Sequence, residues 1–107
     1  MNALVQKVAE TLAREAAPEK IILFGSHATG DAKAESDIDL LVVESGEFGG
    51  GKSRRKELVR LSRAVAEFPV PIDLLIYSRR EVEQWKTSVN HVVARAMREG
   101  KVLYERP

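Results

Sequence analysis

Three aspartates and a Gly-Ser dipeptide are the residues of this chain whose types and spacing can do chemistry. Asp37 and Asp39 stand two residues apart at the head of the apolar run Ile38 to Val43. In a strand, side chains alternate between faces, so both carboxylates project to one side with their Cα atoms about 6.5 Å apart. Two like charges that close repel unless a cation sits between them, and one or two magnesium ions held by oxygen ligands satisfy that requirement. Asp73 has the same placement in a second apolar stretch, between Ile72 and Leu74. If the two strands are neighbours, the three carboxylates form one acidic cluster. A single Asp at a strand end is ordinarily solvated or caps a turn. The pair, directly after a glycine-serine loop, points instead to chemistry.

That loop begins where the run Ile21-Ile22-Leu23-Phe24 ends, at Gly25 and Ser26. A sharp turn there offers backbone N–H groups and a hydroxyl to an anion such as phosphate, and the glycine permits close approach. Gly30 allows a second turn before the chain returns to Ser36 and Asp37. A strand, Gly-Ser, a short excursion and a strand opening on Asp-x-Asp is a layout able to hold a metal-bound triphosphate. The chain has no cysteine and only two histidines. Disulfides, thiolate metal sites and thiol catalysis are therefore excluded, and carboxylates must hold any metal, which favours a hard cation such as magnesium.

The elements that must position these residues follow from periodicity. Leu4, Val5, Val8, Ala9, Leu12, Ala13 and Ala16 recur at helical spacing, predicting a helix from Ala3 to Ala16 that Pro18 stops. Ile21–Phe24 and Ile38–Val43 read as strands, the first buried on both faces. Ser45 to Ser53 carries Gly46, Gly49, Gly50 and Gly51 and predicts a mobile loop. A helix over Lys52 to Phe68, a strand over Val70 to Tyr77 covered on two sides, a short helix over Arg79 to Lys86 capped by Ser78, a helix over Ser88 to Arg98 and a strand at Val102 to Tyr104 complete the order. Trp85 shares a face with Val82 and is expected in the core, whereas His27 and His91 are expected at the surface. With 107 residues, there is room for one compact domain, 1–107, and one core. No apolar run approaches a membrane span, and Asn2 to Ala17 is too interrupted by charge to be a signal peptide, so the chain is expected to be cytoplasmic.

The motifs Leu23-Phe24-Gly25-Ser26-His27-Ala28-Thr29-Gly30 and Ser36-Asp37-Ile38-Asp39-Leu40, with Pro71-Ile72-Asp73-Leu74 beyond them, resemble the signature of the nucleotidyltransferases of the DNA polymerase beta superfamily. They are most similar to the stand-alone minimal nucleotidyltransferases, the MNT proteins. The resemblance implies an α+β, two-layer nucleotidyltransferase fold with a mixed sheet packed against helices. It also implies two magnesium ions on Asp37, Asp39 and Asp73, nucleotide contacts from Gly25, Ser26, Gly30 and Ser36, and transfer of AMP from ATP to a hydroxyl. One ion lowers the pKa of the attacking hydroxyl, the other neutralises the leaving pyrophosphate, and Asp73 can take the proton. Many members carry arginine where this chain has Thr29, so a cation near the phosphates must come from elsewhere, with Lys52, Arg54 and Arg55 as candidates.

A chain this small has few residues left to enclose an acceptor. By resemblance the partner is a HEPN-domain toxin, with the chain acting as its antitoxin by adenylylating a tyrosine. The alternative is a catalytically weak antitoxin or adaptor that neutralises its partner by binding alone. An oligomer is left open. Net charge is +1, yet residues 1–51 hold 4 basic against 9 acidic side chains and residues 52–107 hold 13 against 7. The basic set Lys52, Arg54, Arg55, Lys56, Arg60 and Arg63 lacks interleaved aromatics, which counts against nucleic-acid binding.

Overall fold

The computed structural model describes residues 3–33 and 35–107; Met1, Asn2 and Ala34 lie outside them, and with Asn2 the start of the segment read for a leader. Four strands form one mixed sheet in the order β3-β2-β1-β4: β1 (Lys20–Phe24), β2 (Ile38–Glu44), β3 (Ile72–Ser78) and β4 (Lys101–Glu105). β1 lies antiparallel to both β2 and β4, whereas β2 and β3 are parallel. A parallel neighbour requires a crossover, supplied here by a helix between β2 and β3. Two facts of register matter for function: Phe24 opposes Asp39, and Asp39 opposes Asp73.

Helices cover both faces, as the doubly apolar strands β1 and β2 demand. On one face α1 (Ala3–Ala16) and α3 (Arg54–Ala64) place Val5, Val8, Leu12, Leu61 and the following Val65 against Ile21, Leu23, Ile38, Leu40 and Val42. On the other, α4 (Arg79–Trp85) and α5 (Val92–Glu99) set Val82, Val93 and Ala96 against Ile22, Leu41 and Val43. The α+β fold with a mixed sheet is as expected, with a third layer beyond the two that the resemblance implied. A four-residue helix, α2 (Ser26–Thr29), interrupts the loop expected after Gly25. α3 starts two residues later and ends four earlier than its periodicity suggested, and α5 begins at Val92, with the His91 side chain accepting from the Val93 amide. The Ser78 cap on α4 is present as a capping box with Glu81.

The glycine loop after β2 is anchored where the sequence predicts mobility. Gly49 and Lys52 exchange backbone hydrogen bonds of 2.8 and 3.0 Å, and the Phe48 ring lies under Lys52 and Arg54 at 4.8 and 4.6 Å. Arg54 donates to the Ile76 carbonyl, on the open edge of β3, at 2.6 Å and forks onto the Glu81 carboxylate. Gly49 and Gly50 are needed for positive φ, 113° and 57°, rather than for slack.

Gly100 joins α5 to β4 at φ −80°, an ordinary conformation, but a Cβ there would overlap the Ala96 and Leu23 carbonyls and the Ile22 side chain. Gly100→Ala is therefore expected to destabilise the fold by about 3 kcal/mol, the scale of overpacking against backbone, read as a shifted urea midpoint with an unchanged slope.

Candidate active site

The three aspartates gather at one end of the sheet because β2 and β3 run parallel and in register. Asp39 and Asp73 sit side by side on the face that also carries Leu41, Val43 and Leu75, close enough for each carboxyl to feel the other's charge. Asp37 precedes β2 and is exposed; Asp73 is exposed, and Asp39 half-buried. Burial, then the charges of Asp73 and Asp37, raises the pKa of Asp39 above the ordinary carboxylate value, with His27 opposing. This is a like-charge cluster of hard oxygen donors, the donor chemistry a divalent cation such as magnesium requires. Among the described residues, no group of three His, Cys, Asp or Glu side chains stands in ready-made metal-holding geometry.

The Gly-Ser turn lies directly on this cluster. Gly25 has φ 72°, and a Cβ there would overlap Asp39 Oδ2, so the backbone approaches the carboxylate as only glycine allows. The Gly25 carbonyl accepts from the Ala28 and Thr29 amides at 3.0 and 3.1 Å, and the Ser26 carbonyl from those of Gly30 and Asp31 at 3.1 and 3.0 Å. The first amides of α2 then have no partner within the helix. Ser26 is half-buried, and Gly30 closes α2 in the left-handed conformation at φ 88°. Ser36 closes a turn: its Oγ accepts from the Lys33 amide at 2.8 Å and its amide donates to the Lys33 carbonyl at 3.0 Å. Ile38 N donates to the Pro71 carbonyl, tying the approach to Asp39 to the approach to Asp73.

His27, expected at the surface, is half-buried, and its Nε2 lies 3.0 Å from the Ser36 carbonyl. A carbonyl only accepts, so Nε2 carries the proton. The bond crosses from α2 to the peptide that leads into Asp37, linking the turn to the carboxylates. The only signal in the sequence was a ring-bearing donor just after Gly-Ser. His27→Ala is expected to lower nucleotide-transfer kcat about tenfold with little change in melting temperature, and His27→Gln, which can still donate, to recover most of it.

Thr29 is exposed and donates to Asp31 Oδ2 at 2.9 Å. The cations proposed to compensate for it do not do so. Lys52 pairs with Glu44 at 3.2 Å and Arg54 with Glu81, at the Glu44 and Ser78 ends of β2 and β3, and Arg55 lies beside them on the first turn of α3. Asp39 stands five residues back along β2, roughly 17 Å away. Trp85, expected in the core, is 37% exposed and stacks on His91, with ring centroids 4.6 Å apart. Asp37 and Asp73 are exposed, so the cluster faces outward on an open end of the sheet.

This sheet order, with paired aspartates beside a Gly-Ser turn, is the architecture of a nucleotidyltransferase. The polymerase beta nucleotidyltransferase family matches residues 6–107, and the chain belongs to that family. A Methanocaldococcus jannaschii protein whose name assigns it protein adenylyltransferase activity is 33% identical over 87 residues, covering 80% of this chain and 78% of its own. A second from the same organism, named likewise, is 34% identical over 57% of this chain and 61% of its own. Among solved structures, one from Sulfolobus solfataricus assigned as a nucleotidyltransferase superposes with a TM-score of 0.64 at 22% identity, over 96% of this chain and 78% of that one. A toxin-antitoxin complex, MntA-HpeT, gives 0.64 at 20% identity over 99% and 74%. A toxin-antitoxin structure with AMP-PNP gives 0.57 at 23% over 94% and 73%. These structures share the fold.

Proposed function

We propose that this chain transfers AMP from ATP to a tyrosine hydroxyl of a partner protein, a HEPN-domain toxin, and acts in the cytoplasm as its antitoxin. The observation that carries the reading is the pairing of Asp39 with Asp73 beneath the Gly25 backbone. Relatives named as protein adenylyltransferases, and fold neighbours from toxin-antitoxin complexes, one with AMP-PNP, support it. Asp37, Asp39 and Asp73 are assigned as the magnesium ligands and catalytic carboxylates. Magnesium held there would lower the pKa of the acceptor hydroxyl and neutralise charge on the leaving pyrophosphate.

In this reading the amides at Gly25 and Ser26 and the Ser26 hydroxyl hold the terminal phosphates, the left-handed Gly30 completes the turn that presents them, and Ser36 sets the chain into Asp37. His27 holds that chain in place. Asp73, the most exposed carboxylate of the facing pair, accepts the proton of the acceptor hydroxyl as its oxygen bonds to the α-phosphorus and the bond to pyrophosphate breaks. The open end of the sheet leaves the acceptor to be presented by the partner.

The test is to incubate the chain with labelled ATP, magnesium and a HEPN-domain toxin encoded beside it, and to weigh the toxin. A gain of one AMP on a tyrosine is the expected result; no gain, with the toxin still neutralised, overturns it. That second outcome is the binding-only alternative, which the exposed Thr29 in place of arginine favours, since Lys52 and Arg54 are held at the other end of the sheet.

A further inference from the structure

α3 turns to solvent a face that the fold does not use. Leu61 is its buried residue, while Leu58 and Val59 are 37% and 42% exposed. Arg55, Lys56 and Arg63 flank Val59 at helical spacing, exposed and with side chains that make no ion pair or hydrogen bond among the described residues. A groove of about 620 Å³ runs along Ser53, Arg55, Lys56, Val59, Arg60 and Arg63, its walls more apolar than polar. Exposed aliphatic side chains rimmed by polar groups mark interaction sites.

The charge of the rim selects the occupant. Arg60, in the same row, shows what these side chains take: it donates to both Glu57 carboxylate oxygens at 2.9 Å and to the Glu15 carbonyl, on α1, at 2.8 Å. Arg55, Lys56 and Arg63 continue the row with no neighbour to bond. A second copy of this chain packed two-fold on α3 would set these cations against their own equivalents, which costs affinity. Nucleic acid would meet an aliphatic centre and no aromatic ring on which to stack a base. We propose that the outer face of α3 docks a partner protein through an acidic amphipathic helix, its apolar stripe over Val59 and the aliphatic stems beside it and its Asp or Glu side chains on Arg55, Lys56 and Arg63.

Position gives this surface its use. α3 packs on the sheet face that carries Leu40 and Val42, whereas Asp39 and Asp73 project with Leu41 and Leu75 from the opposite face. A partner held on α3 leaves the carboxylate end open, so docking and nucleotide transfer occupy separate surfaces. The inference stands whether or not the chain catalyses transfer.

The experiment is an amide NMR titration of the full chain with three probes. They are a synthetic helical peptide bearing a leucine stripe flanked by glutamates, the same peptide with lysines for glutamates, and a single-stranded RNA. The acidic peptide should bind saturably, shift the amides of Arg55, Val59 and Arg63, weaken as salt is added and leave the Asp39 amide in place. Val59→Asp and the double change Arg55→Glu, Arg63→Glu should each weaken it about tenfold, at unchanged melting temperature because these side chains are exposed. The lysine peptide should not bind. Absence of saturable binding, shifts centred elsewhere, affinity indifferent to the substitutions, or tighter binding of the RNA to the same amides would each overturn the proposal.

Discussion

Asp39→Asn is expected to change activity and stability in opposite directions. In the transfer assay it should lose about 10³-fold in kcat, because the carboxylate it neutralises lies between Asp73 and the Gly25 backbone. In a thermal melt without magnesium it should be more stable than wild type at neutral pH. The pKa of Asp39 is raised by burial and by the charges of Asp73 and Asp37, so the folded chain favours the uncharged form. Ionising such a group costs the folded state as pH rises past the ordinary carboxylate value, and an asparagine never pays that cost. The gain should therefore shrink as pH falls to about 3.8. Added magnesium should raise the melting temperature of wild type and not of the variant, since binding to the native state alone stabilises it. A variant that loses activity but melts lower at neutral pH would mean that Asp39 is held by contacts rather than strained by like charge, and the magnesium assignment would fall with it.

Much of this site could be read before any coordinates because strand geometry is unforgiving. The period of two in β2 fixes which face Asp39 shares with Leu41 and Val43, and apolar runs as continuous as Ile21 to Leu23 and Leu40 to Val43 require cover on both faces. What the spacing could not say is which strand lies beside β2, because strand order depends on the crossover through α3 and not on local pattern. Only the register Asp39 to Asp73 turns two motifs into one cluster. His27 escapes the pattern for a related reason: its partner is a backbone carbonyl nine residues on, invisible to periodicity. Lys52 and Arg54 stand at the far end of the sheet from the aspartates, since a loop that leaves β2 at Glu44 starts α3 there, and their pairs with Glu44 and Glu81 hold them in place. Trp85 lies outside the core because Val82 fills the buried position of α4, leaving the ring to stack on His91.

Glu44 lies one residue past the predicted strand Ile38–Val43, yet it governs the largest expected pH effect on stability. It is the last residue of β2, 5% exposed, on the α1 and α3 face, with Lys52 Nζ 3.2 Å from Oε1 and no donor to the buried Oε2. Burial, then the neighbouring Glu57, pushes its pKa from 4.5 up to about 7, Lys52 only partly opposing. Glu57 moves the other way, held down chiefly by the Arg60 guanidinium. Below pH 4.5 Glu44 carries its proton folded and unfolded, and the site costs nothing. Between 4.5 and 7 the unfolded chain releases the proton while the folded chain keeps it, so stability falls across that window. Above pH 7 the full cost is on the order of 3 kcal/mol. Glu44→Gln keeps the shape and the donor without the charge, so at pH 8 it should be about 2 kcal/mol more stable than wild type, and near pH 4.5 almost equal to it. Glu57→Gln should do the reverse, losing stability at pH 8, since a carboxylate with a depressed pKa stabilises the fold above its ordinary value. Urea unfolding of the three proteins at both pH values measures this. A Glu44→Gln variant no more stable than wild type at pH 8 would show the ion pair with Lys52 outweighing the burial of the charge, and would place Glu44 among the ionised groups of the native chain.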